Sequence, residues 1–174
     1  MCELLKKLKD YHKEQYTHVK RVSQLCMLIG FELGMSLKEI EDLKVIGLYH
    51  DIGKLRIPIE ILSKTGELTE KEWNIIKLHS LYSISLLELE DKEIREAILY
   101  HHENLDGSGY FEKTDKELSL YQRIIHAADV YEALTAKRCY KEPWSKEEAY
   151  KYLNDKSGTM FDPMIVNLLG EVIA

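Results

Sequence analysis

Seven histidines lie at positions 12, 18, 50, 79, 101, 102 and 126, and several are placed where metal chemistry would need them. His50 is followed by Asp51 where an apolar run ends, just before Gly53. His101 and His102 are adjacent at the end of another such run, ahead of Asp106-Gly107-Ser108-Gly109-Tyr110. His18, His79 and Asp129 each sit on or beside an apolar stripe of a further segment. One His-Asp dipeptide means little, since a chain of this composition produces about 0.36 of them by chance. A lone histidine beside an apolar face is ordinarily a hydrogen-bonded packing residue. The set resists that explanation, because so many imidazoles and two carboxylates at buried edges would leave many polar groups to satisfy. Metal ions satisfy them together. Imidazole with carboxylate and no nearby cysteine suits Fe, Mn, Zn or Ni rather than a thiolate zinc site or a calcium loop. The candidate donors outnumber the four of a structural zinc, which points to a cluster of two or three metals.

Helices must position these donors. Leu (25) and Ile (16) far outnumber Val (6), and only 3 Pro and 9 Gly punctuate 174 residues, a balance that favours helix over strand. Ser36-x-x-Glu39, Thr69-x-x-Glu72, Ser119-x-x-Gln122 and Ser145-x-x-Glu148 read as capping boxes, and Asp162-Pro163 as an N-cap with proline at the first helical position. Val22, Cys26, Ile29 and Leu33 share one helical face, and Ile40, Leu43, Ile46 and Gly47 another. The spacing predicts helices near 3–12, 14–33, 37–52, 58–62, 70–89, 92–103, 120–137, 146–154 and 163–172, with irregular stretches at 53–69 and 104–118. No alternating strand pattern, internal repeat or linker composition interrupts them. The expectation is a single all-α domain over residues 1–174, a compact helical bundle.

Composition excludes several classes. Apolar residues make up 45% and charged residues 31% of the chain, which is globular rather than disordered. The net charge of −6 and the absence of a Lys/Arg cluster argue against a DNA- or RNA-binding surface, while leaving room for a local basic pocket that takes one phosphate ligand. No apolar run approaches the roughly 18 residues that would span a membrane, and MCELLKKLKD lacks a signal-peptide core. The three cysteines, Cys2, Cys26 and Cys139, read as buried reduced thiols. These features together predict a cytoplasmic protein.

The run His50-Asp51-Ile52-Gly53-Lys54, then His79, His101-His102-Glu103, Asp106-Gly107-Ser108-Gly109-Tyr110 and Asp129, resembles the HD-GYP subgroup of the HD phosphohydrolase superfamily. Ala133-Leu134-Thr135, Arg138, Tyr140-Lys141, Gly158 and Phe161-Asp162-Pro163 extend the likeness, which covers about residues 14–165. The resemblance implies a helical bundle of the HD type, two or three divalent metal ions and phosphodiesterase activity on cyclic di-GMP. Iron or manganese are the first choices, with zinc, nickel or magnesium behind them. It implies that Asp51 bridges two metals, that His79, His101 and His102 hold one of them, and that His50, His18 and Asp129 serve the cluster. Glu14, four residues before His18 and on the same helical face, is offered to a third ion, with a solvated charge as the equal alternative. Hydroxide bridging the metals would attack phosphorus. Lys54 would hold a phosphate oxygen, and Arg138 and Lys141 would clamp phosphate farther along the pocket. Tyr110, in the glycine loop, would meet the nucleotide or close the loop.

The sequence departs from the family pattern at Phe111, where Gly-Tyr-Pro would have proline, at Lys64-Thr65-Gly66 for Lys-Pro-Gly, and at Arg138-Cys139-Tyr140 for Arg-Pro-Tyr. Losing proline at 111 frees the loop backbone. His12 and His126 fall outside the pattern, the first expected to be exposed and the second to pack or lie at the surface. Trp73 and Trp144 read as core or staple residues rather than base-stacking platforms. The alternatives are an HD phosphohydrolase for another nucleotide, or a non-catalytic cyclic-dinucleotide sensor or interaction module using the same pocket. Any regulatory input is expected from a separate signalling protein or from substrate supply.

Overall fold

A computed structural model describes residues 2–137 and 142–174. Ten α-helices follow one another among these residues: α1 (Cys2–Tyr11), α2 (Lys13–Glu32), α3 (Leu37–Tyr49), α4 (Ile59–Leu62), α5 (Glu70–Lys77), α6 (His79–Leu86), α7 (Lys92–Leu99), α8 (Leu120–Thr135), α9 (Lys146–Asp155) and α10 (Pro163–Ile173). Short 3-10 turns occupy Ile52–Arg56 and Asp115–Glu117. The described residues contain no strand, only isolated bridges between Asp106 and Thr114 and between Ser157 and Phe161. The fold is all-α, as the sequence predicts. No helix among the described residues is long and apolar enough to cross a membrane.

Each of the four predicted capping boxes forms, so the first backbone N–H groups of α3, α5, α8 and α9 find partners. Asp162 caps α10 through the amides of Met164 and Ile165, with Pro163 at the first turn. His12, expected to be exposed, is half-buried and caps α2 by accepting from the Gln15 amide. The segment from 70 to 89 is two helices rather than one. They break at Leu78, whose N–H turns back to Ile75 and Ile76 in a tightened last turn. The helices expected to reach 52, 103 and 137 stop at 49, 99 and 135.

Helix α8 is the axis of the bundle: Tyr121, Ile124, Ile125, Ala127, Ala128 and Tyr131 are all buried. It packs on α2, α3, α7, α9 and α10, and α2 lies along α3 over Val19, Val22, Cys26 and Ile29. These residues join one continuous apolar cluster with Leu43, Ile46, Ile98, Leu153 and Phe161. Of the cysteines, Cys26 is buried as expected and Cys2 is exposed, while Cys139 lies outside the described residues. Helix α6 sits against the turn after Asp51, and a glycine permits it: a Cβ on Gly53 would fall 2.0 Å from the His79 carbonyl oxygen. Ser83 completes the junction by accepting from the Gly53 N–H at 2.8 Å and donating to the His50 carbonyl at 2.7 Å.

Candidate metal centre

Helix ends carry the histidines inward. His50 caps the C-terminus of α3, His79 begins α6 directly after the break at Leu78, and His101 follows the end of α7. In each case the ring Nδ1 lies beside the carbonyl three residues earlier: Gly47 at 2.8 Å, Ile76 at 2.7 Å and Ile98 at 2.7 Å. A carbonyl only accepts, so each Nδ1 carries the proton and donates it, and each Nε2 is left with a lone pair. These carbonyls belong to the last turns of their helices, where intrahelical partners run out. One hydrogen bond therefore satisfies a helix end and fixes a ring. His18 is held differently, from α2, with Nδ1 2.5 Å from Glu132 Oε2 of α8.

The free edges converge. His79 Nε2 lies 3.2 Å from both His101 Nε2 and His102 Nε2. His18 Nε2 is 3.0 Å from Asp129 Oδ1 and 3.4 Å from Asp51 Oδ2. Asp51 faces both ways, with Oδ1 3.2 Å from His79 Nε2 and Oδ2 3.5 Å from His50 Nε2. Three groups result, each with ligand atoms within 4.8 Å of one another: His79, His101 and His102; His18, His50 and Asp129; and His50, Asp51 and His101. His50, Asp51, His79 and His101 are at most 1% exposed, and His50 Nε2 and Asp51 Oδ1 are buried without any hydrogen-bond partner.

Buried lone pairs facing one another repel, and orphaned buried polar atoms are costly. A cation between them removes both penalties. Metal–nitrogen bonds of about 2.1 Å place neighbouring ligand nitrogens roughly 3.0–3.4 Å apart, which matches the 3.2 Å from His79 Nε2 to each of the other two Nε2 atoms. The donor set fits divalent metal ions.

Protonation agrees with that fit. Burial pushes His79 down to about 4, against the pull of Asp51. Burial, reinforced by neighbouring imidazoles, also holds His101 and His102 well below the usual range. Burial would raise the two carboxylates, but Lys54 and His50 beside Asp51, and His18 beside Asp129, hold both well below their ordinary values. His18 is the exception: burial opposes its charge, yet Asp129, Asp51 and Glu132 outweigh it and raise the imidazole well above 6.5. A metal ion entering there would displace that proton.

Lys54 stands at the edge of this cluster, its ammonium 2.6 Å from Asp51 Oδ2 and 3.3 Å from Gln15 Oε1. A cavity of about 640 Å³ opens beside His18 and Glu132, lined also by Lys13, Glu14, Arg21 and Lys137. Glu14 is exposed on that wall and belongs to none of the three donor groups. Tyr110 reaches the other flank, its ring centroid 4.7 Å from that of His102. Burial, aided by Asp51 and Asp129, pushes its hydroxyl pKa upward. Arg138 and Lys141 lie outside the described residues.

Supporting roles emerge that the motifs did not assign. Glu132 orients His18, and its position three residues after Asp129 on one helix was the available signal. Glu103, 2% exposed, accepts from the amides of Phe111 at 2.7 Å and Lys113 at 2.8 Å and so ties down the glycine loop. Phe111, where the family pattern has proline, supplies one of those donors and packs its ring edge-on against Tyr100 at 5.3 Å. A Cβ on Gly109 would fall 2.5 Å from Glu103 Cα, so that close approach requires glycine. His126 packs as expected: it stacks on Phe161 at 4.8 Å, and its Nδ1 lies 3.1 Å from the His101 carbonyl. Trp73 corrects the expectation of a core residue, since it is 42% exposed. Trp144 is half-buried and packs edge-on against Tyr152.

A family model described as HD domain matches residues 3–165. The chain belongs to the HD domain family. Two curated relatives, both phosphodiesterases by name, are similar to this HD chain over most of its length. The 3'3'-cGAMP-specific phosphodiesterase 2 of Vibrio cholerae is 35% identical over 164 residues, 91% of this chain and 31% of that protein. The cyclic di-GMP phosphodiesterase of Thermotoga maritima is 35% identical over 172 residues, 95% of this chain and 47% of that protein. The chain thus spans about a third to a half of the relatives' length. Among solved structures, the HD domain of the L. monocytogenes phosphodiesterase PgpH, in complex with cyclic-di-AMP, aligns with a TM-score of 0.71 at 22% identity, covering 98% of this chain and 95% of that one. That likeness is one of fold.

Proposed function

We propose that this HD domain hydrolyses a phosphodiester bond of a cyclic dinucleotide, cyclic di-GMP first, using two divalent metal ions. One observation carries the reading: two three-donor groups lie on either side of Asp51, whose two oxygens face opposite groups. That is the arrangement a bridging carboxylate needs. In this reading His79, His101 and His102 hold one ion, His18, His50 and Asp129 hold the other, and Glu14, one turn before His18, is offered to a third. Iron or manganese suits the imidazole–carboxylate mixture. Bound ions would supply Lewis acidity toward the phosphate and a water of lowered pKa.

The chain's own residues do the remaining work. The ring locks keep each Nε2 aimed without reorganisation at the moment of reaction. Lys54, already at the Asp51 carboxylate, is placed to exchange that partner for a phosphate oxygen and to meet charge that grows in the transition state. Arg138 and Lys141 are assigned to the more distant phosphate. Lys13, Arg21 and Lys137 give the adjoining cavity cationic groups despite the acidic chain. The names of the relatives support a cyclic dinucleotide and leave two bases in play, guanine alone or guanine with adenine.

The test combines elemental analysis with hydrolysis of cyclic di-GMP and 3'3'-cGAMP by anaerobically prepared protein. At least two metal ions per chain and turnover of a dinucleotide are expected. Asp51→Ala is expected to abolish turnover and release both ions while keeping helical content. A variant that retained full metal and wild-type turnover would overturn the assignment of Asp51.

A further inference from the structure

The cluster has two flanks, and they differ in chemistry. The cavity beside His18 carries charges of both signs, Lys13, Arg21 and Lys137 with Glu14 and Glu132. Beyond His102, on the other side, three side chains from α5 and the glycine loop form a small open corner. Trp73 and Tyr110 stand edge to face, with centroids 6.4 Å apart and planes at 86°. Lys77, one helical turn after Trp73, holds its ammonium 6.0 Å from the indole centroid and 5.4 Å from the phenol centroid. Among the described residues no carboxylate pairs with Lys77, so only the two rings hold its charge. Tyr110 joins this corner to the donor groups through its contact with His102.

A structural staple would bury its indole, because burying a tryptophan is where its large apolar area contributes stability. Here Trp73 stays 42% exposed although Tyr110 and Lys77 are already against it. The feature left unused is a partly open indole, with the Lys77 ammonium over its ring and much of the remaining surface toward solvent. An aromatic base stacks on such a surface whatever its identity. The cation adds discrimination, because guanine presents two adjacent acceptors, O6 and N7, where adenine presents one acceptor and an amino donor. A lysine ammonium, which only donates, matches the guanine edge and is opposed by the adenine amine.

We infer that Trp73, Lys77 and Tyr110 form a guanine-binding subsite, with Trp73 stacking on the base and Lys77 donating to its O6 and N7. The inference rests on the cyclic-dinucleotide reading and extends it. A phosphate held at the donor groups would leave one nucleoside facing the His18 cavity and the other facing this corner. The subsite sets which base is accepted on the His102 side.

Two measurements test it. In the first, cyclic di-GMP and cyclic di-AMP are hydrolysed by wild type, Lys77→Met and Trp73→Ala, all metal-loaded and of equal helical content. Wild type is expected to prefer cyclic di-GMP by about tenfold or more in kcat/KM, the discrimination of one well-placed base contact. Lys77→Met should collapse that ratio to within about threefold, and Trp73→Ala should raise KM for both substrates by roughly tenfold. Equal loss on both substrates in Lys77→Met, or no KM change in Trp73→Ala, overturns the subsite. In the second, Trp144→Phe leaves Trp73 as the remaining tryptophan, and its fluorescence is titrated with GMP and with AMP. Saturable quenching that is tighter for GMP supports the subsite, whether or not the protein hydrolyses either dinucleotide. Absence of quenching, or equal affinity for the two nucleotides, refutes it. If neither of these dinucleotides nor 3'3'-cGAMP is turned over, the phosphodiesterase reading fails while the titration still decides the corner.

Discussion

Replacing Glu132 with glutamine should weaken one metal position and spare the other. Glu132 is 3% exposed and accepts from His18 Nδ1 at 2.5 Å. Glutamine keeps the length and an accepting oxygen but removes the charge. A buried hydrogen bond to a charged group contributes about 1.5–3 kcal/mol and a neutral one about 1 kcal/mol, so the substitution costs roughly 0.5–2 kcal/mol at His18. Arg21, 3.5 Å from the other oxygen and 56% exposed, adds little to this figure. Since 1.4 kcal/mol is a factor of ten, affinity at the group His18, His50 and Asp129 should fall about two- to thirtyfold. Glu132→Ala, which leaves Nδ1 with no acceptor, should fall further, toward the hundredfold limit for such outer partners. The group His79, His101 and His102 keeps its own carbonyl locks and should hold its ion unchanged. Calorimetric titration of Mn²⁺ into metal-stripped protein resolves the two positions. Equal weakening at both, or no weakening at either, would refute the claim that Glu132 acts through His18.

Two further substitutions probe the supports. Burial holds His126 down to about 4 against an ordinary 6.5, so the unfolded chain takes up the proton first as pH falls. The stability tied to the neutral ring is therefore complete above about pH 6.5 and is lost toward pH 4, about 3 kcal/mol in all. Urea unfolding of metal-free protein between pH 7 and 4.5 should show a steeper decline for wild type than for His126→Gln, and parallel curves would exclude the effect. Phe111→Pro removes the N–H that Glu103 Oε1 accepts and should lower stability by about 1–2 kcal/mol, after the unfolded-state gain that proline brings. Thermal unfolding measures it, and an unchanged or raised Tm would show that Glu103 does not depend on that donor.

The helix starts were legible because they are local. Ser36, Thr69, Ser119 and Ser145 each reach an amide three residues on, and no distant contact is needed to satisfy it. The break at Leu78 was not legible. No glycine or proline marks it, and the apolar periodicity runs through Trp73, Ile76 and Ser80. Its cause is tertiary: α6 must lie against Gly53 so that Ser83 reaches the turn after Asp51. Of the candidate donors, His50, His101 and His102 were readable at the ends of apolar runs and His18, His79 and Asp129 beside apolar stripes, and the structure brings these and Asp51 together. Glu132 escaped because a carboxylate on a helix reads as solvated until its long-range partner is known. Glu103, although inside the His-His-Glu run, had no legible role because it holds amides eight and ten residues on. Trp73 was misread for a related reason, since helical spacing shows which residues share a face and not whether that face is covered.

Helices open most readily at their ends, where the last carbonyls lack partners inside the helix. At His50, His79 and His101 the group that quiets such an end is also the group that aims a lone pair into the cluster. Fraying and ligand release are thereby one event: a last turn of α3, α5 or α7 cannot unwind without swinging an imidazole away from the centre. The converse holds for ion capture, which would lash three helix ends to α8 through Asp129 and slow their opening by the free energy of binding. A metal ion held there would work as a knot in the chain, its retention only as durable as the weakest of those three turns.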